Sequence, residues 1–179
     1  MAGRELAVRV FLIHVRDPQF YALPAATRAA NGNIRVMGFP PIGIMSLSAV
    51  LKRAGHECVM FDQANPETPN DVIIEEIRRQ RPSLVGLSFL STTSYPYAKM
   101  LARQIRAADS AVKLAFGGVF VTLNAELVKR QCREVDFICR GDGEQLILDL
   151  VERINDPSSV AGVTWMKDGN VALNSRGDR

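Results

Sequence analysis

Ser88-Phe89-Leu90 and Gly117-Gly118, with 26 residues between them, decide how this chain folds. Each closes a short apolar run, Leu84-Val85-Gly86-Leu87-Ser88 and then Val112-Lys113-Leu114-Ala115-Phe116. Brief apolar runs of this kind, bounded by turn residues, read as strands of a parallel sheet buried on both faces. In an open α/β sheet, ligands bind outside the carboxyl ends of the strands. A hydroxyl residue at one strand end, beside two residues without side chains at the next, leaves a slot there for something large.

Outward from this pair, strands and helices alternate. A first strand is expected over about Ala7–Ile13, then a long irregular segment over His14–Pro40. A first helix follows from Ile42 to Ala54, stopped by Gly55. The second strand is Glu57–Asp62; after Asn65-Pro66-Glu67-Thr68-Pro69, Asn70 is expected to cap a helix over Asp71–Gln80. Pro82 precedes the third strand, a helix over Tyr97–Ala108 precedes the fourth, and Asn124–Arg130 forms a short helix. Val135–Cys139 is the fifth strand and Glu144–Ile154 the last helix. The alternation predicts an α/β fold: a flavodoxin-like, five-stranded parallel sheet of order 2-1-3-4-5 with helices on both faces. Lys167-Asp168-Gly169 then signals a C-terminal β-hairpin. The expected division is a main domain over 1–160, a hairpin appendage over 161–174 lying against it, and the start of a linker over 175–179.

Composition narrows the class. The hydrophobic fraction is 47%, the charged fraction 23% and the formal net charge +3, ordinary for a globular domain. The basic clusters Arg78-Arg79-Gln80-Arg81 and Lys129-Arg130-Gln131-Cys132-Arg133 fall at helix ends, where cations suit the negative end of the dipole, so no nucleic-acid partner is expected. Cys58, Cys132 and Cys139 are odd in number and lack a Cys-x-x-Cys pair, against a disulfide framework or a metal site. Cys58 and Cys139 fit as buried small hydrophobes. Arg4, Glu5 and Arg9 interrupt any signal-peptide run, and no window reaches the ~18 apolar residues of a membrane span. A cytoplasmic location is expected.

Four loops meet above the sheet: His14–Pro40 with the start of the first helix, Ser88–Tyr95, Gly117–Thr122 and Arg140–Glu144. The first, at 27 residues, exceeds ordinary connections and lacks the Gly-Lys-Ser/Thr of a phosphate loop. Taken singly, capping of the next helix by Thr93 or Ser94 would explain the hydroxyls from Ser88 to Ser94, and a tight turn would explain Gly117-Gly118. Together, at adjacent strand ends, they mark a ligand slot. Tyr95 and Tyr97 could instead flank a flavin, a nucleotide module would share the architecture, and a ligand-free interaction scaffold is the third alternative.

Several stretches carry a family resemblance. Pro40-Pro41-Ile42-Gly43-Ile44-Met45-Ser46-Leu47 through Gly55-His56, Asp62, Arg81-Pro82-Ser83-Leu84-Val85-Gly86-Leu87-Ser88, Gly117-Gly118-Val119-Phe120-Val121-Thr122 and Val135 through Arg140-Gly141-Asp142-Gly143-Glu144 resemble the cobalamin-binding domain found N-terminal in cobalamin-dependent radical S-adenosylmethionine enzymes. The Ser-x-Leu and Gly-Gly spacing is that family's signature. The resemblance implies that Ile42, Gly43, Ile44, Met45, Ser88, Leu90, Ser91, Thr92, Gly117, Gly118, Val119, Thr122, Arg140, Gly141, Gly143 and Glu144 bind cobalamin. Ser88 would hydrogen-bond the dimethylbenzimidazole tail, Leu90 would pack on it, and Gly117 with Gly118 would let it pass. The parent protein would also use S-adenosylmethionine and a [4Fe–4S] cluster, in a C-terminal radical domain that is this domain's partner.

The departures are equally informative. Relatives that act as methyltransferases carry an Asp-x-His-x-x-Gly whose histidine ligates cobalt; the corresponding window is Pro41–Ser46, with Gly43 in the histidine's place. Phe120 and Asp142 stand where histidine and glutamate are frequent. The resemblance therefore implies cobalamin bound base-off with no protein histidine on cobalt. The Cys-x-x-x-Cys-x-x-Cys of the cluster is absent from these residues, so they would bind cofactor without themselves catalysing, while the parent would be an enzyme, a methyltransferase or a related one.

Overall fold

The computed structural model describes residues 7–16, 40–64 and 68–176. Most of the His14–Pro40 connection, the Asn65-Pro66-Glu67 turn and the last three residues lie outside them. Five strands run parallel: β1 (Arg9–His14), β2 (Glu57–Asp62), β3 (Leu84–Ser88), β4 (Lys113–Gly117) and β5 (Phe137–Cys139). The sheet does not stop there. β6 (Val163–Lys167) pairs antiparallel with β5, and β7 (Asn170–Leu173) with β6, giving seven strands in the order β2-β1-β3-β4-β5-β6-β7. The expected five-stranded sheet with a hairpin laid against it is thus corrected: the hairpin extends the sheet itself. An isolated hairpin is marginal in water, whereas backbone pairing with β5 satisfies one of its edges. Asp168 and Gly169, at φ 49° and 80°, make the tight turn that the Asp-Gly pair predicts.

The helices are α1 (Ile42–Arg53), α2 (Asn70–Gln80), α3 (Tyr95–Ala108), α4 (Val119–Leu123), α5 (Ala125–Gln131) and α6 (Glu144–Glu152). Because side chains alternate along a strand, the sheet feeds two cores. Phe11, Ile13, Val85, Leu87 and Phe116 pack with Ile73 and Ile77 of α2 and Leu101 and Ile105 of α3. Val10, Leu12, Leu84, Ala115 and Phe137 pack with Ile44 and Leu51 of α1 and Leu146 and Leu150 of α6. Among the described residues no helix is long and apolar enough to cross a membrane.

Two local expectations are corrected. Asn70 begins α2 rather than capping it: Pro69 holds the cap position, while the Asn70 side chain accepts from Gln63 Nε2 and donates to Gln104 Oε1, both at 2.7 Å. The stretch after Gly118, expected to be a loop, is helix α4. Gly118, at φ 108° and ψ 175°, turns the chain from β4 straight into it.

Arg106 staples the amino-terminal edge of the sheet. Its guanidinium donates to the carbonyls of Ser110, Val112 and Glu134 and to Asp136 Oδ2 at 2.6 Å; the same Asp136 oxygen accepts from Leu114 N. Arg106→Ala removes these donors together and leaves Asp136 half-buried beside the more distant Lys113, 3.7 Å away. A loss of about 3 kcal/mol is expected, measurable by urea denaturation, with no change in ligand affinity.

Candidate functional site

At the carboxyl end of the sheet, on the face covered by α1 and α6, the packing leaves a cleft of about 430 Å³. Its floor follows from the strand register. Leu12, Gly86 and Ala115 lie side by side across β1, β3 and β4, and Ser88 lies beside Gly117 one step further up. Gly86 and Ser88, and likewise Ala115 and Gly117, share a face because they are two residues apart. Four small residues thus replace the bulky ones that would otherwise meet the helices. Gly43, Ile44 and Leu47 of α1 form one wall, and Leu146 and Ile147 of α6 another. Gly143 lets these walls approach each other, since a Cβ there would stand 2.8 Å from Leu47 Cδ2.

The two glycines of the Gly-Gly pair have different physical roles. A Cβ built on Gly117 meets nothing within 4 Å and would project into open space. A Cβ on Gly118 would stand 2.1 Å from the carbonyl oxygen of Phe89. Gly117 keeps the cleft open; Gly118 allows the backbone of the β3 loop to pass. The shared role expected for both is corrected accordingly.

Of the residues singled out from the sequence, Gly43, Ile44, Ser88, Leu90, Gly117, Gly118, Val119, Thr122, Gly141, Gly143 and Glu144 line this cleft. Ile42, Met45, Ser91, Thr92 and Arg140 do not. Ile42 and Met45 are exposed on the first turn of α1. Ser91 is turned into its own loop, where its Oγ lies 2.8 Å from Thr93 Oγ1 and 2.9 Å from Ser94 Oγ and accepts from Ser94 N; local bonding of this kind is the usual use of such hydroxyls before a helix. Arg140 lines a neighbouring pocket instead. Cys139, expected to be a buried hydrophobe, lines the cleft, and burial pushes its thiol up to about 12, so it stays protonated at neutral pH. Leu12, Leu47, Gly86, Ala115, Leu146 and Ile147 line it too. Period-two small residues behind Ser88 and Gly117 were the signal that could have found Gly86 and Ala115.

Polar groups ring the mouth. Thr122 Oγ1 accepts from Gly141 N at 3.1 Å, tying α4 to the loop after β5. Ser46 Oγ donates to Glu144 Oε1 at 2.7 Å, and this hydrogen bond holds the Glu144 carboxyl below its usual range, so it is anionic at neutral pH. The Ser88 hydroxyl makes no hydrogen bond to another described residue. His56 accepts from Val8 N at the opposite end of the sheet. His14 closes β1 at the upper end but is not part of the cleft lining; its Nδ1 lies 2.9 Å from Asp62 Oδ1. Tyr95 packs with Phe89 and Phe120 in the core across the sheet, and Tyr97 against that same core, so neither flanks the cleft as a flavin site would need.

The sequence model of the B12 binding domain matches residues 34–151, well over half of the chain. The chain belongs to the B12 binding domain family. Within it, this B12 binding domain is 27% identical over 136 residues to the anaerobic magnesium-protoporphyrin IX monomethyl ester cyclase of Synechocystis sp., covering 74% of this chain and 27% of that protein. It is 28% identical over 153 residues to an uncharacterized methyltransferase of Pyrococcus horikoshii, covering 83% of this chain and 32% of that one. The chain therefore spans about a third or less of these curated relatives. By structure, it superposes on the cobalamin-dependent S-adenosylmethionine radical enzyme OxsB with a TM-score of 0.68 and 17% identity, over 96% of this chain and 22% of that enzyme. It superposes on a cobalamin-binding protein from Desulfitobacterium hafniense with a TM-score of 0.54 and 17% identity, over 79% of this chain and 58% of that protein. Both share its fold.

Proposed function

We propose that this B12 binding domain holds cobalamin with its dimethylbenzimidazole tail lowered into the cleft, away from the cobalt. The observation that carries the reading is the open space above Gly117 on a floor of Gly86, Ser88 and Ala115. The residues suit the group. Leu12, Ile44, Leu47, Leu146 and Ile147 offer apolar walls to a flat aromatic base, and the Ser88 hydroxyl is available to a ring nitrogen. Burying roughly 150–200 Å² of aromatic surface at ~25 cal/mol per Å² contributes about 4–5 kcal/mol. Gly43 stands where the resemblance places a ligating histidine, so that position would offer the cobalt no protein nitrogen. Val119, Thr122 and the turn from Gly141 to Glu144 would border the corrin ring, and the Glu144 carboxylate, held by Ser46, would be an acceptor for its amide side chains.

When bound, cobalamin supplies a cobalt centre able to carry a methyl group. In the whole protein, a radical domain binding S-adenosylmethionine and a [4Fe–4S] cluster would follow the C-terminal hairpin and meet the corrin from above, most consistent with methyl transfer to an unactivated centre in the cytoplasm. The curated methyltransferase relative and the fold shared with OxsB support this reading.

Titration with hydroxocobalamin tests the binding: a saturable shift in the visible spectrum is expected. Spin-resonance spectra of the Co(II) form test the coordination. No nitrogen splitting is expected, and a splitting removed by His14→Ala would overturn the histidine-free assignment.

A further inference from the structure

A second pocket, of about 520 Å³, adjoins the cleft and shares Thr122 and Leu123 with it. Its polar side is cationic. Arg140 donates through Nη2 to the carbonyl of Asn174, while its Nε is buried without a hydrogen-bond partner. Arg176 reaches the same neighbourhood, with Nη2 3.4 Å from the carbonyl oxygen of Thr122. Among the described residues neither arginine forms an ion pair, whereas Arg9, Arg79, Arg103, Arg106 and Arg130 each have a carboxylate. Glu126, which also lines the pocket, is engaged by Arg130 at 2.6 Å. Burial and the nearby charge of Arg176 both hold the Arg140 guanidinium below its usual range. Among the described residues, two like charges thus share one neighbourhood with no carboxylate paired to either, an arrangement that an anion relieves. The other side of the pocket is apolar and open: Leu123 is 76% exposed, and Leu127 and Leu173 beside it are exposed as well.

The geometry points to a phosphate-type oxyanion subsite in which Arg140 and Arg176 grip the anion beside Thr122, outside the cleft, with Leu123, Leu127 and Leu173 as a shelf for the attached carbon skeleton. Two sources present that chemistry: the phosphodiester of a corrinoid's nucleotide loop, and a free organic phosphate. Only the first rests on the cofactor reading above.

The test is a nuclear magnetic resonance titration of the 179-residue chain with inorganic phosphate, following the arginine Nε–H signals. A saturable shift of the Arg140 and Arg176 signals is expected, with affinity at least tenfold weaker in the Arg140→Gln, Arg176→Gln double variant. The exposed Arg176→Gln alone, which touches no core, should weaken it at least threefold. A shift that never saturates, is reproduced by chloride at equal ionic strength, or survives both substitutions overturns the subsite. Repeating the titration with stoichiometric cobalamin or cobinamide separates the sources. Blockage by cobalamin alone identifies the phosphodiester; undiminished phosphate binding beside bound cobalamin identifies a free phosphate. Blockage by cobinamide too would mean that the ring itself covers the pocket, and overturns the subsite. If cobalamin fails to bind at all, the cofactor reading falls while the phosphate titration still stands.

Discussion

Gly117→Phe is expected to reduce cobalamin affinity more than 100-fold, about 2.7 kcal/mol or more, without lowering the stability of the apo domain. The position is free of a positive φ and a Cβ there would meet nothing within 4 Å, so a benzyl group is expected to be directed into the cleft and not into packed protein. It then fills the volume between Ser88 and the α1 wall that the ligand's aromatic base would need. Gly117→Ala, which adds one methyl at the mouth of the same space, should give an intermediate loss. The comparison needs two measurements on each variant, a hydroxocobalamin titration and a thermal melt. Unchanged affinity in the phenylalanine variant would show that the tail lies elsewhere; a large fall in melting temperature would show that the space is not open.

The neighbouring residue should behave in the opposite manner. Gly118→Ala is expected to cost about 4 kcal/mol of folding stability, lowering the melting temperature by roughly 10 °C. Gly118 sits at φ 108° and ψ 175°, a region essentially closed to residues with a Cβ, and that Cβ would stand 2.1 Å from Phe89 O. Neither partner can yield cheaply, because both are backbone: Phe89 N donates to Gly117 O, and the Phe89 ring is buried against Phe116 with centroids 5.2 Å apart. Loss of binding in this variant would follow from loss of the fold. A melt within 2 °C of wild type would refute the steric argument. The two substitutions together distinguish a glycine that serves a ligand from one that serves the chain.

Much of this was legible in the sequence because it depends on local pattern. Short apolar runs bounded by turn and polar residues marked the five parallel strands, and the Asp168-Gly169 pair marked the hairpin. Eleven of the sixteen expected site residues line the cleft, since strand ends and the turns after them are placed by the topology itself. What escaped depends on partners distant in sequence. The pairing of β6 with β5 cannot be read from either strand alone, and it is what makes the hairpin part of the sheet. Arg140 follows a strand whose end faces the cleft, yet its guanidinium turns to the carbonyl of Asn174, 34 residues on. Ser91 and Thr92 carry suitable chemistry for a polar ligand, but the loop uses the Ser91 hydroxyl for its own turn. Gly86 and Ala115 looked like ordinary strand residues until register set them side by side.

The continuous seven-stranded sheet has a mechanical consequence. Asn174 is tied by its backbone to Val163 and by its side chain to Pro157 and Val160, Ser175 receives Gly162 N, and Gly162 in turn receives Arg140 N. Residue 176 is therefore joined to the rim where Arg140 and Gly141 stand by a relay of hydrogen bonds and not by a slack tether, so a load applied at that end would be felt at the edge of the cavity.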